Sequence, residues 1–126
     1  MKSQFVVFEA YRELVRHDAF MARHDLSALR EMIKCFPLRS RLQLTGTTEL
    51  ACQALDIACI FYPKRVLCLQ RSVVLVRMLR KRGVPAKMVI GAQKLPFKAH
   101  AWVEVNGAIV NDRLASRETF LVLEVC

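Results

Sequence analysis

The chain is predicted to be an α+β domain, with helices first and a small antiparallel sheet after them. Three observations carry that prediction. Apolar residues recur at helical spacing through the first half, they alternate one by one from Ala99 to Val105, and an Asn-Gly pair at 106–107 breaks the alternation where a hairpin turns. The expected layout is one domain of 126 residues: a helical part over 1–62, then a central cysteine-bearing helix with the sheet over 63–126.

Each element has its own signals. From Phe5 to Phe20, Val7, Tyr11, Leu14 and Val15 share a helix face. Asp25 caps a second, shorter helix that runs to Cys35 and is stopped by Pro37. The stretch PLRSRLQLTGTT reads as a connector. Thr47 or Thr48 then starts a helix to about Tyr62, with Ala51, Leu55, Ala58, Cys59 and Tyr62 on one stripe and Pro63 as its stop. Leu67 to Arg82 is apolar nearly all round, which predicts a central, buried helix, with Gly83 as its C-terminal cap and Pro85 beyond. AKMVIGA reads as a strand, AHAWVEVNGAIVND as a hairpin and TFLVLEV as a last strand.

Composition narrows the function classes. Hydrophobic residues make up 54% of the chain, with four Gly and four Pro, which fits a packed domain and not a disordered or repeat protein. Glu9, Arg12 and Glu13 interrupt the opening apolar run, so it does not read as a signal peptide. No window approaches the roughly 18 uncharged apolar residues of a membrane helix. A cytoplasmic protein without a membrane partner is expected, and its five cysteines, lacking any CxxC pair, are read as free thiols. The net charge of +9 favours acidic partners. The basic residues are scattered, however, and the densest group, Arg77, Arg80, Lys81 and Arg82, complements a helix C-terminus. Without a stacking platform or recognition helix, no nucleic-acid partner is expected.

The candidate chemistry centres on Cys68, in the first turn of the central helix. A helix N-terminus carries about half a positive charge, which favours thiolate over thiol, and its free N–H groups can hold an oxyanion. Cys52 and Cys59 instead read as small core hydrophobes. His100 alternates with Trp102 and Glu104 on one strand face. A three-residue loop at 105–107, with Gly107 in a bulge, is the register adopted here: Val103 then faces Ile109, Trp102 faces Val110 and His100 faces Asp112. Asp112 would orient the imidazole and His100 would take the Cys68 proton. Gln70 enters as an oxyanion donor and Trp102 as a cleft wall. No cofactor is called for, and Cys68, His100 and Asp112 lack the paired spacing of a zinc site.

Helix-borne Cys followed by His and Asp on strands is the order of papain-like and transglutaminase-like enzymes. The segment from Cys68 to Asp112 resembles, more narrowly, the transglutaminase-like cysteine peptidases of lasso-peptide biosynthesis. The matching motifs are C-L-x-R-S at 68–72, L-R-x-R-G at 79–83, V-I-G at 89–91, P-F-x-A-H-A-W-V-E at 96–104 and N-D at 111–112. The resemblance implies leader removal from a ribosomally made precursor, with Cys68 as nucleophile, His100 as base and Asp112 as orienting acid. It also implies a separate ATP-dependent cyclase that closes the freed core. With no leader-binding domain ahead of Cys68, it implies the split form, which works with a separate leader-binding protein. The rival readings are a non-catalytic partner-binding domain of the same fold and an amide-transfer enzyme using the same triad.

Overall fold

The computed structural model describes residues 2–38, 47–93, 98–110 and 120–126. Over these the chain forms helices α1 (Lys2–Met21), α2 (Leu26–Cys35), α3 (Thr47–Phe61) and α4 (Cys68–Lys81). Strands β1 (Ala86–Gln93), β2 (Lys98–Val105), β3 (Ala108–Ile109) and β4 (Leu121–Val125) follow. They make one antiparallel sheet in the order β3-β2-β1-β4, so the architecture is α+β as the sequence predicts. No helix among the described residues is long and apolar enough to cross a membrane.

The termini of the helices follow local chemistry. Asp25 caps α2, its carboxylate accepting a hydrogen bond from the Ala28 N–H at 2.9 Å. Gly83 follows the end of α4 in the left-handed region, φ 81°, and the Val84 N–H closes back onto the Leu79 carbonyl at 3.0 Å. That turn sends β1 back along α4. Val73 to Val76, Met78 and Leu79 of α4 are buried against α1 and α3 on one side and against Met88 and Val103 on the other. No residue of the helix is exposed, and its polar Gln70, Arg77 and Arg80 are bonded to neighbouring segments of the fold.

The buried stripe of α1 differs from the expected one. Val15 is exposed, and the packed residues are Val6, Ala10, Glu13, Leu14 and His17. Glu13 belongs to the stripe because cations 64 and 68 positions away reach it: Arg77 Nε at 2.6 Å and Lys81 Nζ at 2.7 Å. Burial works to raise its pKa, but the hydrogen bonds from Lys81 and Arg77 outweigh it and hold the carboxyl below its ordinary 4.5. A carboxyl so depressed contributes stability above pH 4.5 that is lost as pH falls through its folded value. Glu13→Gln is therefore expected to cost about 3 kcal/mol at pH 7, because it strands two cations. The cost should shrink as both proteins are melted at pH 4 and below. An equal loss at every pH would show that the charge of Glu13 is not what stabilises α1 on α4.

The hairpin corrects the bulged register. Asn106 (φ 52°) and Gly107 (φ 81°) both lie in the left-handed region and form a two-residue turn. Val105 therefore faces Ala108 and Glu104 faces Ile109, and the Val110 N–H donates to the Val103 carbonyl at 3.0 Å, not to a partner at Trp102. Asn tolerates this conformation and Gly adopts it freely, so the local preference for a tight turn wins without an extra residue.

Candidate active site

Cys68 opens α4, and His100 lies on β2 opposite Gly91 of β1. The helix has 14 residues and the strand 8, about 21 Å and about 26 Å long, and they run in opposite directions. The end of β1 thus lies level with the start of α4. There Gly91 pairs with His100, and Cys68 is the first helical residue. The two residues belong to different layers. Met88, Val103, Ile90 and Val105 face the core shared with α4, and alternation puts Gly91, His100, Trp102 and Glu104 on the other face of the sheet.

Cys68 is half-buried, and its thiol makes no hydrogen bond among the described residues. The helix it opens is uncapped: Leu67 stands at the N-cap, 61% exposed, and offers no side-chain acceptor. The first helical hydrogen bond runs from the Arg71 N–H to the Leu67 carbonyl at 3.0 Å. The N–H groups of Cys68, Leu69 and Gln70 thus precede the helical ladder and are oriented along the helix axis, as donors for an anion would be. Three other thiols fit a purely structural role. Burial pushes Cys52 up to about 11 and also raises Cys59 and Cys126, which disfavours their reactive thiolate forms.

Gln70 does not serve as expected. Its Nε2 donates to the Leu14 carbonyl at 3.0 Å and to Asp18 Oδ2 at 3.2 Å, so both amide protons are spent on α1. It is part of a clamp behind the first turn of α4. Asp18 also accepts from the Tyr62 hydroxyl and pairs with Lys64 Nζ at 2.7 Å, which fixes the segment leading into Cys68. Burial would raise the pKa of Asp18, but hydrogen bonds from Lys64, Tyr62 and Gln70 outweigh it and keep the carboxyl below its ordinary value. The same contact, added to burial, pushes Tyr62 up to about 12. The signal available in sequence was only that Asp18, Tyr62 and Gln70 are polar groups next to apolar stripes.

Trp102 is fully buried and does not wall an open cleft; its indole N–H donates to Glu104 Oε2 at 2.8 Å. It supports His100 instead, within a cluster of three rings: His100 to Trp102 at 5.8 Å, His100 to Phe120 at 5.4 Å and Trp102 to Phe120 at 6.2 Å. Gly91 makes the cluster possible. A β-carbon there would sit 2.8 Å from Phe120 Cβ and 2.9 Å from Trp102 Cη2, and the Phe120 atom is tied to its backbone and cannot swing aside. Gly91→Ala is expected to cost about 1–3 kcal/mol. Melting curves check it, and a variant with the wild-type midpoint would show that the rings yield freely. Asp112, with Asn111, Pro96 and Phe97, lies outside the described residues. Among the described residues, no group of three His, Cys, Asp or Glu side chains is placed to hold a metal.

Four helices followed by a four-stranded antiparallel sheet, with Cys68 opening the central helix, define an α+β domain of one class. The chain matches the transglutaminase-like superfamily over residues 13–125 and belongs to that family. It is also 41% identical over 56 residues to the microcin J25-processing protein McjB of Escherichia coli. That match spans 44% of this chain and 27% of the relative. No solved structure matches the chain significantly.

Proposed function

We propose that this chain is a cysteine peptidase that removes the leader from a lasso-peptide precursor, working with a leader-binding protein. The observation that supports the reading is Cys68 at the uncapped start of a buried helix, followed along the chain by His100 on β2. The likeness to a microcin-processing protein supports the substrate class. In this mechanism the Cys68 thiol gives its proton to His100 and attacks the carbonyl carbon at the leader–core junction. N–H groups of the first turn of α4 hold the oxyanion. The carbon–nitrogen bond breaks as the imidazolium protonates the leaving core amine, and the leader stays on Cys68 as a thioester. Water, deprotonated by His100, then releases the leader carboxylate and restores the thiol. Asp112 takes the role of orienting acid by its position in the motif. An ATP-dependent cyclase would act on the freed core.

The test is mass spectrometry of the precursor after incubation with this protein and its leader-binding partner in ¹⁸O-water. Hydrolysis predicts scission at one bond and a leader fragment carrying one heavy oxygen. A leader joined to an amine, without label, would establish amide transfer in its place. Intact precursor in the presence of folded, bound proteins would refute the peptidase reading and favour a non-catalytic binding domain.

A further inference from the structure

A cavity of about 240 Å³ opens between α3 and α4, lined by Cys52, Leu55, Asp56, Arg71, Leu75 and Val110. Its position relative to Cys68 follows from helical spacing. Arg71 and Leu75 stand three and seven residues after Cys68, on the same face of α4, and side chains on a helix lean toward its N-terminus. The cavity therefore opens about one helical turn along α4 from Cys68, on the side where α3 faces α4. The Val110 wall follows directly after β3 and is held by the Cys52 thiol, which donates to the Val110 carbonyl at 3.6 Å.

The lining has two parts. Leu55 and Leu75 are buried and make an apolar floor with half-buried Val110. At the mouth, Arg71 Nη1 is bonded to Asp56 Oδ1, with these side chains 34% and 62% exposed. The mouth thus carries a cation and an anion that satisfy each other above an uncharged interior.

We infer that this cavity is the specificity subsite for the leader residue that supplies the scissile carbonyl, and that it takes an uncharged side chain long enough to reach the apolar floor, of the leucine, methionine or glutamine kind. The inference rests on the peptidase reading. A lysine or glutamate entering here meets a like charge at the mouth, and it gains a partner only by breaking the Arg71–Asp56 pair while shedding its own water. A long neutral side chain leaves the pair intact and buries its apolar stem. Removing either rim charge erases the preference against the side chain that the remaining charge attracts, because that charge is then unpaired.

Peptidyl chloromethyl ketones that share one leader-derived backbone and carry methionine, lysine or glutamate at the reactive residue provide the test. Sulfur of Cys68 displaces chloride from the probe, and peptide mapping follows the rate at that residue in the presence of the leader-binding partner. The wild-type protein should react fastest with the methionine probe, by roughly fivefold to tenfold over either charged one, the scale of a partly exposed ion pair. Asp56→Asn should raise the glutamate-to-methionine rate ratio by a similar factor, and Arg71→Gln should raise the lysine-to-methionine ratio. These ratios cancel any loss of folded protein. Labelling of Cys68 with ratios unmoved in both variants would overturn the subsite and leave the peptidase reading standing. A wild-type Cys68 that no probe labels would overturn the peptidase reading and the subsite with it.

Discussion

Cys68→Ala is expected to abolish leader cleavage, a loss of about 10⁵-fold or more in turnover, while the protein stays folded. The thiol sits half-buried at the first residue of α4 and makes no hydrogen bond among the described residues, so its removal leaves little unsatisfied. His100→Ala should lose activity to a similar extent, with some loss of stability from the ring cluster. In the proposed mechanism the two residues pass one proton between them, so the double variant should be no worse than the weaker single one by more than about tenfold. Cys59→Ala serves as the control: this thiol lies in mid-α3 with its pKa raised by burial, and full activity is expected without it. Product formation by mass spectrometry, beside a melting curve for each variant, decides the matter. Cleavage that survives in Cys68→Ala would mean that another group is the nucleophile.

The parts of this fold that are legible in the sequence are those fixed by near neighbours. The cap at Asp25, the left-handed Gly83 and the all-round apolar pattern of α4 each depend on residues within a turn or two, and each appears as read. What the pattern hides are contacts between residues far apart in the chain. Glu13 counts as polar in any periodicity, yet it is buried because Arg77 and Lys81 arrive from another helix. The face of Trp102 looks half-exposed by alternation, whereas both faces of β2 are buried from Ala101 to Glu104. The register failed for a different reason. The Asn-Gly pair specifies a two-residue turn by its own geometry, and this leaves no place in the loop for the extra residue of a bulge. The position of Cys68 in the first turn of α4 was legible because the start of that helix was. The role of Gln70 was not, since its partners Leu14 and Asp18 lie more than 50 residues away.

Arg80→Leu is expected to cost the fold about 3 kcal/mol or more, the largest stability loss of any single change considered. Arg80 is buried at the far end of α4 from Cys68, and its guanidinium joins three segments. Nε donates to the Ala86 carbonyl at 2.9 Å, Nη1 to those of Ile33 and, at 3.3 Å, Phe36, and Nη2 to that of Cys126 at 2.8 Å. It thereby caps α2, fixes the entry to β1 and anchors the end of β4. Burial lowers its pKa from the ordinary arginine value, yet a guanidinium stays charged throughout the working pH range. A buried ion pair can often be replaced by an apolar group of similar size at little cost, because both partners leave together. Here the partners are backbone carbonyls that no side-chain substitution removes, so leucine fills part of the volume and orphans the acceptors. Arg80→Lys should recover less than half of the loss, since one ammonium cannot span carbonyls that a planar fork reaches in three directions. Urea denaturation of the three proteins measures the costs. Cleavage per folded molecule should be unchanged in both variants, because the hub and Cys68 lie at opposite ends of the helix. A loss below about 1 kcal/mol for Arg80→Leu would show that water satisfies these carbonyls and that the guanidinium is not what joins α2, β1 and β4.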